Sequence, residues 1–181
     1  MNFELVLKEL LLKFKEQNVR YALIGGFAMQ VTGFTRATDD VDFLVEAQDI
    51  DKIRKIMQKF GYELTHESQN FSNYWHPMAP MGCVDYLYTH RDYGREMLQR
   101  AKNHKILGNI EVPILLPEDI IGLKVQALVN NPQRRALDMA DIEYLIKNNL
   151  DKLDMKLVKK YFDLFKMNKE LENLLKKTKD A

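Results

Sequence analysis

The sequence predicts an α/β (α+β) fold, a mixed twisted sheet flanked by helices and followed by a C-terminal helical tail. Three observations predict it. Between about residues 20 and 115, short β-rich runs alternate with stretches of helical periodicity. From about residue 117 onward only helical periodicity remains. The apolar run Tyr21–Ile24 ends at Gly25-Gly26, and Phe27-Ala28-Met29-Gln30-Val31 then reads as helix, which makes this segment a strand-to-helix turn.

The first helix is expected over 2–17. Its residues are mostly apolar, yet Glu4, Lys8, Glu9, Lys13, Lys15 and Glu16 interrupt them with helical spacing, so the segment is amphipathic. A strand over 20–24 enters the glycine turn, and a helix follows over 26–32. In the strand expected over 40–46, Val41, Phe43 and Val45 alternate with Asp40, Asp42 and Leu44, which buries one face and puts both aspartates on the other. Asp39 then falls on the core side or at the strand entrance. A helix over 49–60 is capped by Gly61.

Three β-rich segments follow over 62–67, 71–76 and 83–89, and in the last a single acid, Asp85, interrupts an apolar run. Next come a helix over 92–103 and a hairpin across Leu107-Gly108-Asn109-Ile110. The tail reads as helices over 117–130, 132–148, 152–165 and 168–178. The first of these opens with Pro117 and two acids, and Ile120, Leu123, Ala127 and Leu128 form its apolar stripe with Lys124 at the border. The loop Asn130-Asn131-Pro132 offers a border between a catalytic region, 1–130, and a helical region, 131–181, with the stretch from Asn148 to Asp151 as the other candidate.

Composition narrows the class without identifying it. A chain of 181 residues can build one substantial core, and 46% hydrophobic with 29% charged residues indicates a soluble globular protein. One cysteine, Cys83, cannot form an internal disulfide, and no signal peptide or long apolar span is visible, so a cytoplasmic protein without membrane association is expected. A net charge of +1 excludes a global polyanion-binding signature, and the lysines of the tail interleave with acids as on a solvated helix face.

The chemistry is concentrated around the glycine pair and the acids. Glycines at a strand-to-helix turn let the backbone approach a phosphate without a Cβ in the way. Two carboxylates on one face of a strand repel each other unless a cation lies between them, and Mg²⁺ takes a few carboxylate oxygens together with water and phosphate. A pair of such ions needs a third acid from a neighbouring strand, for which Asp85 is the best candidate. Histidines 66, 76, 90 and 104 show no metal-ligand spacing; His76, beside Tyr74 and Trp75, either lines a base pocket or belongs to an aromatic cluster.

Gly25-Gly26, the acidic pair Asp40-Val41-Asp42 after a spacer of thirteen residues, and the later Asp85 together resemble the nucleotidyltransferases of the DNA polymerase beta superfamily. The stretches Gly33-x-x-Arg36-x-Thr38-x-Asp40-Val41-Asp42 and Leu123-Lys124-x-x-Ala127-Leu128…Arg134-Arg135-x-x-Asp138-x-x-Asp141 look like the minimal bacterial members that include AbiEii-type toxins. The resemblance implies the nucleotidyltransferase fold, with Gly25 and Gly26 holding the triphosphate of an NTP. It also implies that Asp40, Asp42 and Asp85 are catalytic and bind Mg²⁺, with two ions expected. Arg36 and Thr38 would pass near the triphosphate, with Arg36 either a bidentate phosphate contact or a surface arginine. Lys124 would neutralise phosphate charge, or else be a lysine that snorkels from the apolar stripe. Asp138 and Asp141 share a helix face and are either catalytic or hold Lys124 or Arg134 in place.

The function expected from this resemblance is Mg²⁺-dependent transfer of a nucleoside monophosphate from an NTP to an acceptor. For AbiEii-type toxins that acceptor is tRNA, and a cognate antitoxin or other partner protein would accompany it. Relatives in the superfamily modify antibiotics or a partner protein. The alternative of a different class is a catalytically idle, antitoxin-like partner module that keeps the fold.

Overall fold

A computed structural model describes residues 1–31, 33–34 and 38–179, and the chain divides into two compact units, Met1–Leu116 and Pro117–Ala181. The first unit contains helices α1 (Phe3–Glu16), α2 (Gly25–Val31), α3 (Ile50–Lys59) and α4 (Asp92–Arg100). Its strands are β1 (Tyr21–Ile24), β2 (Asp40–Glu46), β3 (Glu63–Glu67), β4 (Phe71–Trp75), β5 (Cys83–Thr89), β6 (Lys102–Ile106) and β7 (Ile110–Ile114). Among the described residues these make one seven-stranded sheet in the order β3-β4-β5-β2-β1-β7-β6. Pairing is mixed: β2 is parallel to β5 and β1 to β7, while the β1/β2, β3/β4, β4/β5 and β6/β7 pairs are antiparallel. The expected mixed sheet flanked by helices is therefore what the chain builds.

The alternation read along β2 places its two faces. Val41, Phe43 and Val45 are fully buried, and Phe43 meets Phe14 of α1 edge-on at 5.3 Å and stacks on Tyr86 of β5 at 5.7 Å. Tyr86 in turn donates a hydrogen bond to the sulfur of Met57 in α3. This aromatic core lies on one side of the sheet, so Asp40 and Asp42 are carried on the other. The alternation lapses in the second half of β2, where Leu44 and Glu46 are also buried, because the strand is central and flanked on both sides. Glu46 is accommodated by Arg20 at 2.5 Å and by the amide of Gln48 at 2.6 Å.

Local signals account for most element ends. Asn2 caps α1 by accepting from the Leu5 amide, and Gly61 follows α3 at φ +78°, the left-handed turn expected of it. One segment differs in type. The helix expected over 92–103 stops at Arg100, and the hairpin expected across Leu107-Gly108-Asn109-Ile110 is formed by Lys102–Ile106 and Ile110–Ile114 (β6/β7), its first strand taking residues 102 and 103 from the expected helix. Four of the five β6 residues are exposed, so the strand has no apolar alternation to announce it and its charged residues read as a continued helix.

The second unit consists of α5 (Pro117–Asn130), α6 (Arg135–Asn149), α7 (Met155–Leu164) and α8 (Asn168–Lys179). The helices expected from 132 and from 152 begin later, at Arg135 and Met155, after a 3₁₀ turn at Pro132–Arg134 and a cap at Asp154, whose side chain accepts from the amides of Lys156 and Leu157. α5 packs on both α6 and α7, which puts it with the helical unit, so the division falls between Leu116 and Pro117 rather than at the 130/131 loop. Gly122 makes the α5/α7 contact close, since a Cβ there would lie 2.7 Å from the Tyr161 ring, whose hydroxyl donates to buried Asp119. Among the described residues, no helix is long and apolar enough to cross a membrane.

Candidate active site

The parallel pairing of β2 with β5 sets Asp42 directly opposite Asp85, and Asp40 opposite Cys83. Partners in register on adjacent strands project to the same face, so Asp85 joins Asp40 and Asp42 on the side away from the aromatic core. One carboxylate oxygen from each of the three lies within 4.8 Å of the others, and all three residues are half-buried. The convergence expected of these acids is thus present in the fold.

The glycine turn adjoins them. Gly25 has φ +66°, and a Cβ built on it would fall 1.8 Å from Oδ2 of Asp42. A side chain at 25 is excluded both by backbone conformation and by space. A Cβ on Gly26 would meet the Thr38 hydroxyl at 2.8 Å, and that hydroxyl donates to Oδ1 of Asp40. Gly25 thereby leaves open the space above Asp42, while Thr38 fixes Asp40. The field here is negative: the Cys83 thiol is pushed up, first by burial and then by Asp85, Asp40 and Asp39. Asp39 itself is exposed at the entrance to β2, outside the cluster.

Comparison with solved structures identifies the fold. The antibiotic-resistance factor ANT(2'')-Ia matches 96% of this chain over 97% of its own, at 15% identity and a TM-score of 0.63. The lincosamide antibiotic adenylyltransferase LnuA, solved with lincomycin bound, matches 76% of this chain over 94% of its own, at 19% identity and a TM-score of 0.54. An antigenic nucleotidyltransferase-like protein from Paracoccidioides brasiliensis matches 96% of this chain over 91% of its own, at 20% identity and a TM-score of 0.55. This is a nucleotidyltransferase fold. No family model matches the chain, and no curated protein does. The likeness to AbiEii-type toxins rests on sequence motifs alone.

Within the nucleotidyltransferase fold, the donor set suits a hard divalent cation. Three carboxylates offer oxygen only, their ligand atoms are close enough to share an ion, and the space above Asp42 is one that a single Cβ would fill. Asp40, Asp42 and Asp85 would hold Mg²⁺ there.

The other residues singled out in the sequence divide among several places. Arg36 lies outside the described residues. Lys124, in the helical unit, is held by Asp141 at 2.5 Å and Asp138 at 3.2 Å, and both acids are buried. Asp138 and Asp141 therefore hold Lys124, while Arg134 comes no nearer to Asp138 than 4.0 Å. His76 is buried outside the cluster: its Nδ1 accepts from the Met78 amide, its Nε2 is 2.9 Å from the Phe60 carbonyl, and its ring meets Tyr62 edge-on. It belongs to an aromatic cluster. Sequence reasoning missed Asn73, which register places directly beside Asp85. The alternation Phe71-Ser72-Asn73-Tyr74-Trp75 carries the signal, since Ser72 and Tyr74 are buried and the other three are not.

Proposed function

We propose that the chain transfers a nucleoside monophosphate from an NTP to a hydroxyl of a small-molecule acceptor. The observation that carries this reading is the meeting of Asp40, Asp42 and Asp85 beside Gly25, where a Cβ would overlap a carboxylate. The choice of a small molecule draws on the neighbours of similar fold: LnuA is solved with lincomycin and ANT(2'')-Ia with adenylyl-2''-tobramycin, the latter at 15% identity over 89% of this chain and 95% of that one, with a TM-score of 0.61.

In the reaction, the acceptor oxygen bonds to the α-phosphorus, the bond from that phosphorus to pyrophosphate breaks, and pyrophosphate leaves with the electron pair. Gly25 and Gly26 leave room for the triphosphate to approach β2. Thr38 restrains Asp40. Asp85, on the neighbouring strand, accepts the acceptor's proton. Two Mg²⁺ ions held by the three aspartates would neutralise the phosphates and make the acceptor hydroxyl more acidic. Because the carboxylates sit on paired strands, little reorganisation is needed at the moment of transfer.

The test is incubation with Mg²⁺ and labelled NTPs in the presence of tobramycin, lincomycin or bulk tRNA. Label is expected on a small molecule and is expected to fall at least about a hundredfold in Asp42→Asn. Label on tRNA, weakening steeply with salt, would favour the acceptor of the AbiEii-type toxins instead. No label on any acceptor would leave the idle partner module.

A further inference from the structure

The face of the sheet that carries the three aspartates extends past them. Register aligns Asp40, Cys83, Trp75 and Glu63 in one row across β2, β5, β4 and β3, and Asp42, Asp85, Asn73 and His66 in the next. Leu44, Leu87 and Phe71 form a third row. Partners in register share a face, so Trp75, Asn73 and Phe71 lie on the same side as the carboxylates. This side is open at its outer strands: Trp75 is 43% and Phe71 39% exposed, and His66 stacks on Phe71 with ring centroids 5.1 Å apart.

Resting on the nucleotidyltransferase reading above, we propose that this open face of β3, β4 and β5 is the acceptor subsite. Its occupant is a hydroxylated small molecule that lays a ring on Trp75 and presents its hydroxyl beside Asp85 and Asn73. Strand order decides the side. Gly25, which leaves the space for phosphate, directly follows β1, on one flank of β2, and β5 and β4 lie on the other flank. In phosphoryl-type transfer the attacking and leaving oxygens are roughly in line across the phosphorus. Pyrophosphate leaving on the β1 side therefore puts the acceptor on the β5 side. Adjacent strands are about 4.8 Å apart, so the Trp75 backbone lies roughly 10 Å from that of Asp40, the span of one or two sugar-sized rings.

Charge decides the chemical class. The strand positions on this face contribute Asp40, Asp42, Asp85 and Glu63, and none of the register partners in these rows is Lys or Arg. With the three aspartates holding Mg²⁺, a polyanion such as tRNA finds no Lys or Arg in these rows to pair with, whereas a neutral or cationic ring finds an indole face beside Glu63. Asn73 supplies an amide that donates to, and accepts from, a hydroxylated ligand next to Asp85.

Trp75 is the only tryptophan in the chain, so its fluorescence reports on this face directly. Tobramycin, lincomycin and bulk tRNA are titrated into the full-length protein without NTP, and acceptor and ATP kinetics are compared for the wild type, Trp75→Ala and Trp75→Phe, with circular dichroism confirming that each variant is folded. A saturable fluorescence change with at least one of the two small molecules and none with tRNA is expected. Trp75→Ala is expected to raise the acceptor KM about tenfold while leaving the ATP KM within about twofold, and Trp75→Phe to recover most of the loss. The proposal is overturned if neither small molecule changes the fluorescence, if tRNA changes it saturably, or if Trp75→Ala raises the KM for ATP rather than for acceptor. Equilibrium dialysis of Mg²⁺-ATP against the wild type and Asp42→Asn separates the two readings. Loss of Asp42-dependent nucleotide binding would sink the transferase reading, whereas intact binding with an insensitive Trp75 would sink only the subsite.

Discussion

At the scale of single residues, the site depends on one missing side chain. The backbone of Gly25 is left-handed and an α-hydrogen points at the Asp42 carboxylate, so Gly25→Ala introduces backbone strain of about 1–2 kcal/mol and also displaces that carboxylate. The variant is expected to lower the urea midpoint modestly but to weaken Mg²⁺-dependent nucleotide binding far more, as measured by calorimetric titration. Equal, small losses in both would mean that the turn is only structural. Lys124 presents the opposite case, a cation whose partners are in view. Lys124→Met leaves the buried carboxylates of Asp138 and Asp141 facing each other, and about 3 kcal/mol of unfolding free energy should be lost. Adding Asp141→Asn should restore part of that stability in the same denaturant melts, because it removes one of the two like charges.

At the scale of elements, the contacts that matter are those that local pattern does not announce. Gly122 lets α5 approach α7, and Gly122→Ala forces the Tyr161 ring aside and disturbs its bond to Asp119. Overpacking of this kind costs about 1–3 kcal/mol, readable as a lower thermal midpoint with the helical signal otherwise unchanged. In the sheet, the parallel β2/β5 pair brings Asp42 and Asp85 together. Asp85 was legible as a candidate because a lone acid in an apolar run is locally unusual, but its partner Asp42 follows from a register that spans some forty intervening residues. The turn of the β6/β7 hairpin was legible but the start of β6 was not, since an exposed edge strand of Lys, Asn, His and Lys has no periodicity of its own and takes its structure from β7.

At the scale of the whole molecule, titration of buried phenols should set the alkaline limit of stability. Burial holds Tyr21, Tyr62, Tyr74 and Tyr86 above the ordinary phenol value and pushes Tyr88 up to about 12. Each phenol binds its proton more tightly in the folded chain than in the unfolded one, so their contribution is complete below about pH 10 and is lost as pH rises through the folded values. Urea midpoints are expected to be flat with respect to these groups between pH 8 and 9.5 and to drop between about pH 10 and 12, in step with tyrosinate absorbance at 295 nm. A tyrosinate signal that rises without any loss of stability would contradict this.

Short-range signals in the sequence were enough for the strand-to-helix glycine turn, the alternation that sends Asp40 and Asp42 to one face, the helix end at Gly61, and the candidacy of Asp85. These depend on backbone preference and on periods of two and 3.6 residues, which are written in neighbouring positions. Which strands lie side by side is settled by long-range packing, and with it the convergence of the three carboxylates, the placement of Asn73 and Trp75 on their face, the pairing of Lys124 with Asp138 and Asp141, and the assignment of α5 to the helical unit. The physical reason is that register and packing are set by burial summed over distant segments, which no window of adjacent residues contains.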